Sequence, residues 1–342
     1  MSHMVTVYPS GRRFEVADNQ WLLDAALEND IPILYNCRVG ACGTCQVRLL
    51  SGEVEMTSDV ILSDEEIEAG HILACQAYAR TDVEILIAED AMRVIPARVD
   101  QVERLSASII RLRCALESSV SYQPGQYAQV NREGLDRPRA YSFASACKDH
   151  DNGQDKVDFF VRLVPGGLFT TWLFEEAKPG DALELSGPFG TFGLRKSQAP
   201  MILVAGGSGL APIKAIMEGV LQQKMARPAW LFFGVQTEKD LFDLAEIQDI
   251  QKQWPSAFTF VPVLSSEPEG STWQGARGFV HQAIEKTPQL PQNAEAYICG
   301  PPPMVDATVE ALAQLGLARN KIFADRFLDS RDLLHAVEGR QR

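Results

Sequence analysis

Four cysteines in this chain are spaced for metal chemistry. Cys37, Cys42 and Cys45 run as C-x4-C-x2-C, and Cys75 follows after a longer gap. Thiolates in that spacing hold a 2Fe-2S cluster of the plant type. Three of them on one tight loop reach both irons only where the backbone closes over the cluster, and Gly40 and Gly43 stand where side chains would obstruct it. The alternatives are a structural zinc site, which usually shows two C-x2-C pairs where only one is present, and cysteines scattered through a core.

Further stretches have chemical content that is weaker one by one. Arg139-Ala-Tyr-Ser142 carries a guanidinium, whose planar fork suits phosphate, close to an aromatic ring and a hydroxyl. The same four residues arise by chance, and Tyr and Ser alternate naturally in strands. Residues 162–170, R-L-V-P-G-G-L-F-T, read either as an ordinary turn or as the opening of a helix whose unpaired N–H groups favour an anion. In residues 205–212, A-G-G-S-G-L-A-P, Gly207 and Gly209 supply the first two glycines of a dinucleotide fingerprint, but Pro212 holds the third place and G-x-G-x-x-G is not met. Pro212 suits a helix start, where its missing N–H would have no partner anyway. Residues 299–304, C-G-P-P-P-M, follow another apolar run; on the bland reading Cys299 is a small buried hydrophobe.

The elements that must position these groups change texture along the chain. Strands over 5–8 and 12–16 joined through Pro9-Ser10-Gly11, a helix over 21–29, a strand over 46–50, a short acidic helix over 63–69 capped by Ser63, and a strand over 83–87 make a small α+β domain. Residues 89–96 read as a linker ending at a proline. Short β-like runs over 97–105, 108–116, 127–131, 157–163 and 182–186, with Gly and Pro turns between, predict a small antiparallel barrel. From residue 200 the pattern alternates: strands over 201–205, 229–234, 258–264, 295–299 and 322–326, helices over 212–223, 243–253, 280–286 and 304–315. That alternation predicts an α/β doubly wound parallel sheet.

A chain of 342 residues exceeds one ordinary core. With 46% hydrophobic and 23% charged residues it reads as a soluble globular protein. No apolar run approaches the roughly 18 residues that span a bilayer, and no charged segment leads into an apolar one at the N-terminus, so neither export nor membrane insertion is expected. Cys114, Cys147 and Cys299 stand far apart once the other four are assigned, which fits a reducing cytoplasm. Residues 1–92 hold 16 Asp and Glu against 5 Lys and Arg, a balance of −11 out of −13 for the chain. This disfavours nucleic acid and anionic membrane, and suits docking on a basic protein surface.

Residues 1–92 resemble a plant-type ferredoxin, whose fold is a β-grasp. The stretch at Arg139, preceded by the turn Pro124-Gly-Gln-Tyr127, resembles the flavin-binding motif of the ferredoxin-NADP reductase superfamily. The resemblance implies that Arg139 pairs with flavin phosphate, Tyr141 packs against the isoalloxazine and Ser142 hydrogen-bonds N5. It implies a second flavin segment in which Gly166, Gly167 and Thr170 open a helix onto the pyrophosphate. Gly207, Ser208 and Gly209 would approach the nicotinamide dinucleotide. The superfamily's C-G-P-P-x-M signature matches residues 299–304 in every fixed place, which sets Cys299, Gly300 and Pro301 beside the nicotinamide where hydride leaves. Phe327 would cover the flavin until nicotinamide displaces it, a core Phe being the alternative. The resulting division is a ferredoxin domain over 1–92, an FAD-binding barrel over 93–198, and an NAD-binding domain over 199–342 with a charged tail from 329.

This order of domains resembles the reductase component of bacterial multicomponent oxygenases. The resemblance implies a monomer that carries FAD and a 2Fe-2S cluster and passes electrons from NADH through both to a separate oxygenase or hydroxylase component. A hydride brings two electrons at once and the cluster takes one, so a flavin stands between them. Residues 272–281 and 322–327 look most like reductases of phenol-hydroxylase-type diiron monooxygenases, acting on aromatic or alkene substrates. Reductases of Rieske-type dioxygenases share the cofactor motifs, and a redox sensor without turnover is the alternative from another class. NADH is expected over NADPH, because residues 234–240, G-V-Q-T-E-K-D, set one Lys between two acids.

Overall fold

Alternation of apolar and polar residues builds the first sheet. In β1 (Ser2–Tyr8) and β2 (Arg12–Ala17), antiparallel to each other, Val5, Val7, Phe14 and Val16 are buried while Arg13 and Glu15 face out. Helix α1 (Leu22–Glu28) lays Leu22, Leu23, Ala25 and Ala26 on that core. There follow β3 (Gln46–Ser51), β4 (Val54–Met56), α2 (Asp64–Glu68), β5 (His71–Leu73), β6 (Ala77–Ala79) and β7 (Val83–Leu86). The order β2-β1-β7-β3-β5, with β1 and β7 parallel at its centre, is the expected β-grasp, and β4 pairs with β6 outside it. The computed structural model of the chain describes residues 2–328 except 36, 41, 42, 59–61, 63, 88–93, 136, 148–155, 288 and 289. Ser63 as a cap, most of the expected linker and the tail from 329 fall outside the described residues. The end of the linker is corrected: residues 94–96 already belong to a strand.

That strand, β8 (Val94–Arg104), opens the barrel, followed by β9 (Ile109–Leu116), β10 (Tyr127–Asn131), β11 (Arg139–Ser142), β12 (Lys156–Arg162), α3 (Leu168–Glu175) and β13 (Ala182–Phe189). The sheet order is β11-β10-β13-β8-β9-β12. A bridge between Phe143 and Phe159 joins the two outer strands, so the sheet closes on itself and leaves no edge there. Phe143, Phe159 and Phe169 fill the interior, and Tyr122 stacks on Phe143 at 3.7 Å between centroids.

The last sheet comprises β14 (Met201–Gly206), α4 (Leu210–Gln222), β15 (Ala229–Val235), α5 (Leu244–Gln253), β16 (Phe258–Leu264), β17 (Ala276–Arg277), α6 (Val280–Glu285), β18 (Glu295–Gly300), α7 (Pro302–Gln314) and β19 (Ile322–Arg326). All its pairings are parallel, in the order β17-β16-β15-β14-β18-β19. Every residue of β14 and β18 is buried, as strands covered on both faces must be. The chain progresses outward from β14 in one direction, then returns to β18 on its other side. Ligands of such sheets bind outside the carboxyl ends of the strands flanking that reversal. Among the described residues no helix is long and apolar enough to cross a membrane.

Barrel and parallel sheet belong to one compact unit, residues 95–185 and 192–327. Ile109, Ala144 and Phe160 of the barrel share a core with β14, α4 and Phe242. An ion cluster lies on the same seam. Arg111 of β9 pairs with Glu103 at 3.0 Å, with Glu246 at 2.8 Å and with Asp243, while Lys214 of α4 reaches Glu218, Glu246 and the Ala144 carbonyl. Asp243 sits in the left-handed region at φ 60°, its side chain 3% exposed, with one carboxylate oxygen lacking a partner among the described residues. Loss of water pushes its pKa up to about 6, which Arg111 only partly offsets.

A proton therefore binds Asp243 more tightly in the folded chain than in the unfolded one. The stability this contributes is present below about pH 4 and is lost as pH rises through about 6. Asp243→Asn keeps a residue tolerant of that backbone and leaves Arg111 its two glutamates. We expect the variant to melt several degrees above wild type at pH 7.5, for a gain of about 2 kcal/mol, with the gap closing as pH falls below about 4. Calorimetry showing the same difference throughout that range would overturn this account of the seam.

Candidate functional site

The cysteine loop lies between α1 and β3 and faces the turn after β5. Cys37, Cys45 and Cys75 are buried at 2–3% exposure. Cys42 lies outside the described residues, and among the described residues no three His, Cys, Asp or Glu side chains are gathered as a metal site. Backbone donors already point at sulfur: the Cys75 N–H at Cys45 Sγ, 3.5 Å, and the Val39 N–H at Cys37 Sγ, 3.4 Å. Such hydrogen bonds favour thiolate over thiol and hold ligands in place. Gln76, 5% exposed, ties the two segments together. Its amide donates to the Arg38 carbonyl at 3.3 Å, to the Cys75 carbonyl at 2.7 Å and to Cys75 Sγ at 3.7 Å, and Thr57 holds its oxygen at 3.0 Å. A Cβ on Gly40, where φ is +73°, would sit 2.8 Å from the Gln76 side chain. Soft donors, N–H groups aimed at them and a backbone pressed this close fit an iron–sulfur cluster. The role of Gln76 was not read from the sequence, since a Gln beside a Cys carries no signal of its own.

In the barrel, β10 and β11 pair Tyr127 with Ser142 and Ala128 with Tyr141, which brings the turn at Pro124 beside the Arg139 stretch. Tyr141 lies 5.5 Å from the Phe169 ring and 6.4 Å from Phe159; burial pushes its phenol up, so it stays neutral. Ser142 is 5% exposed. Arg139 donates to the Arg137 carbonyl at 2.5 Å. Helix α3 starts directly after Gly166 and Gly167, but the Thr170 hydroxyl turns back into the bend, accepting from the Val164 N–H at 3.2 Å. It closes the turn instead of pointing outward. A half-buried ring, a small hydroxyl and a guanidinium along one strand, with the first turn of α3 packed against that ring, suit a flavin and its phosphates.

The remaining residues meet where the parallel sheet reverses. Gly207–Gly209 form a single 3-10 turn and α4 starts at Leu210, so Pro212 falls inside its first turn. A Cβ on Gly209 would lie 2.3 Å from the Cys299 carbonyl oxygen: the loops after β14 and β18 touch main chain to main chain. Cys299 is fully buried, its Sγ 3.9 Å from Asp325 Oδ2. Burial first, then the Asp325 charge, pushes its thiol well above the usual range, so it is a neutral group and no nucleophile. Gly300 and Pro301 begin the turn into α7, and the Phe327 N–H donates to the Gly300 carbonyl at 2.9 Å, extending β19 along β18. Phe327, distant in sequence, is thus set beside Cys299 and Gly300. Asp325 was not singled out from the sequence; its contact with Cys299 depends on the register of β18 with β19.

These sites define an oxidoreductase that joins iron–sulfur, flavin and nicotinamide chemistry, and comparison with known proteins agrees. Residues 5–80 match the 2Fe-2S iron-sulfur cluster binding domain, 96–193 the oxidoreductase FAD-binding domain and 203–310 the oxidoreductase NAD-binding domain. The chain is 40% identical to the xylene/toluene monooxygenase electron transfer component of Pseudomonas putida, over 94% of this chain and 93% of that one. It is 35% identical to the phenol 2-monooxygenase reductase component of Pseudomonas sp. (strain CF600), over 97% and 96%. Among solved structures it is similar to the ferredoxin reductase in carbazole 1,9a-dioxygenase, with a TM-score of 0.67, 30% identity, and 96% and 99% coverage. The chain belongs to the family of electron-transfer reductases in which a 2Fe-2S domain is fused to FAD- and NAD-binding domains. Its cofactors are FAD and a 2Fe-2S cluster, and its donor is NADH.

Two glycine substitutions should separate the two ends of the electron path. Gly40→Ala drives a methyl group into Gln76 and strains the loop, so iron and labile sulfide are expected to fall severalfold while FAD content stays. Gly209→Ala pushes the β14 and β18 loops apart; here the cluster should be retained and NADH bleaching of the flavin slow by at least about tenfold, roughly 1.4 kcal/mol. Metal analysis and anaerobic stopped-flow absorbance read both. Normal cluster content in the first variant or normal bleaching in the second would refute the corresponding loop geometry.

Proposed function

We propose that this chain is the reductase of a multicomponent monooxygenase, delivering electrons from NADH to a diiron hydroxylase that acts on aromatic or alkene compounds. The observation carrying this reading is the 40% identity, along 94% of the chain, to a xylene/toluene monooxygenase component. The likeness to a carbazole dioxygenase reductase favours, as second reading, a dioxygenase partner of the Rieske type. We take the domains as 1–92, 93–198 and 199–342, and the protein as a cytoplasmic monomer; no disulfide joins the described cysteines.

In this reading Cys37, Cys42, Cys45 and Cys75 ligate the cluster, with Gln76 bracing the loop. Bound FAD supplies the conversion between a hydride's electron pair and single electrons. Arg139 binds its phosphate, Tyr141 packs against its ring, and Ser142 offers a hydroxyl at N5 that can hold or release a proton. Gly166, Gly167 and Thr170 shape the start of α3, whose free N–H groups face the pyrophosphate. Gly207, Ser208 and Gly209 allow the dinucleotide to approach the backbone, and Cys299, Gly300 and Pro301 line the nicotinamide place. Because the Cys299 thiol is neutral and buried, it would pack beside the nicotinamide and exclude water without adding to the ring as a thiolate could. Phe327, anchored through its N–H to Gly300, covers the flavin when nicotinamide is absent.

The docking face is the acidic first domain. Glu53 is exposed, whereas Glu55 spends part of its charge on Arg80 at 2.6 Å, and Asp59 falls outside the described residues. Exposed charges steer partners at low salt and are screened beyond about 8 Å at physiological ionic strength. NADH-driven reduction of the purified hydroxylase should slow severalfold between low and high salt, while reduction of ferricyanide, which can draw on flavin, changes little. Cys75→Ser should abolish the first reaction and spare the second. Salt-independent hydroxylase reduction, unchanged by Glu53→Lys, would remove acidic docking; hydroxylase reduction surviving Cys75→Ser would remove the cluster from the path.

A further inference from the structure

Beyond the ends of β15 and β16 the two chains stay paired. The Ser265 N–H donates to the Val235 carbonyl at 3.0 Å and the Ser266 N–H to the Gln236 carbonyl at 2.8 Å. This carries Glu267 alongside Glu238, and Glu267 Oε2 accepts the Glu238 N–H at 2.8 Å. From the other side Arg277 holds the Glu267 and Pro268 carbonyls at 3.0 and 3.1 Å. The Glu267 carboxylate is therefore fixed at both its backbone and its tip, at the carboxyl end of the strand next to β14.

In sheets of this kind the adenosine ribose of a dinucleotide lies over the end of the second strand, where an acid usually takes the 2′-hydroxyl. Here that strand, β15, ends at Val235 and is followed by Gln236, which is no acid. The donors of the next residues are already taken: the Thr237 N–H and hydroxyl both go to Asp240 Oδ2, at 3.0 and 2.8 Å, and the Glu238 N–H goes to Glu267. The Arg277 guanidinium stands beside this place, but its terminal N–H groups are spent on the Glu267, Pro268 and Trp273 carbonyls and the Ser271 hydroxyl, so what is left for a ribose is acceptors. A ribose hydroxyl can donate to a carboxylate, whereas a 2′-phosphate has no proton to give at neutral pH and meets like charge.

We propose that Glu267, from the loop after the third strand, reads the ribose 2′-hydroxyl and sets the preference for NADH over NADPH. The assignment rests on the reading that the dinucleotide occupies the crevice between β14 and β18. Glu267 acts by holding a carboxylate that accepts from the hydroxyl and repels the phosphate; Lys239, exposed, is the one cation in residues 234–240.

The test uses the full chain with its cofactors. ADP-ribose and 2′-phospho-ADP-ribose are titrated calorimetrically, and kcat/KM is measured for NADH and NADPH with ferricyanide. Wild type should favour ADP-ribose and NADH. In Glu267→Gln both preferences should fall by about tenfold or more, through KM and Kd, with kcat for NADH nearly unchanged. Glu269→Gln, two residues further along the same exposed loop, should leave both ratios in place. Unchanged ratios in Glu267→Gln, or an equal fall in Glu269→Gln, would overturn the assignment. Flavin that stays oxidised with NADH in wild type would instead overturn the reductase reading itself, and Glu267 with it. Reduction by NADH with no preference between the two ADP-ribose compounds would sink Glu267 alone.

Discussion

The loops that leave β14 and β18 approach each other closely enough that a single methyl group on Gly209 would overlap the Cys299 carbonyl. Much of the nicotinamide side of the molecule depends on that approach. Two parallel strands, buried throughout, end level with each other where the sheet reverses, so their turns must share one small space. Glycine lets the main chains meet and leaves backbone, in place of side chains, on the floor of the crevice. The packing requirement fixes glycine at this turn whether or not the full dinucleotide fingerprint is met, which explains how a stretch that fails it sits inside an NAD-binding domain.

The same logic holds at the cysteine loop with different chemistry. Gln76 connects Arg38, Cys75 and Thr57, and Gly40 makes room for it. A buried amide with its polar atoms satisfied gives that loop a defined shape. Along the seam between barrel and parallel sheet the means are ionic. Arg111 and Lys214 gather four carboxylates from β8, α4, α5 and the turn before α5. One carboxylate there is over-buried, and its raised affinity for a proton records the cost of packing the flavin and nicotinamide modules so closely.

Strand alternation in residues 1–92, the short runs of the barrel and the strand–helix alternation after residue 200 were sufficient for the three-sheet architecture. Each sheet buries its own faces with its own periodicity, and that periodicity is written locally. The cysteine spacing and the C-G-P-P-P-M stretch were likewise legible, because the chemistry of thiolates and the tightness of a turn constrain neighbouring residues in one segment. Several of the shortest elements were not: β11, β17 and the small pair β4 and β6 are defined only by the strands they pair with.

What the sequence determined by itself is therefore the set of cofactors and the order of the modules, with candidates for the residues at each cofactor. Tertiary structure decided which distant residues stand together. The register of β18 with β19 sets Asp325 against Cys299 and anchors Phe327 at Gly300. The ladder continued past β15 and β16 brings Glu267 to Glu238, and the fold of α3 turns the Thr170 hydroxyl inward to Val164. Hydrogen bonds and ion pairs between residues far apart in sequence are satisfied only after the chain is packed, so composition and spacing carry no trace of them.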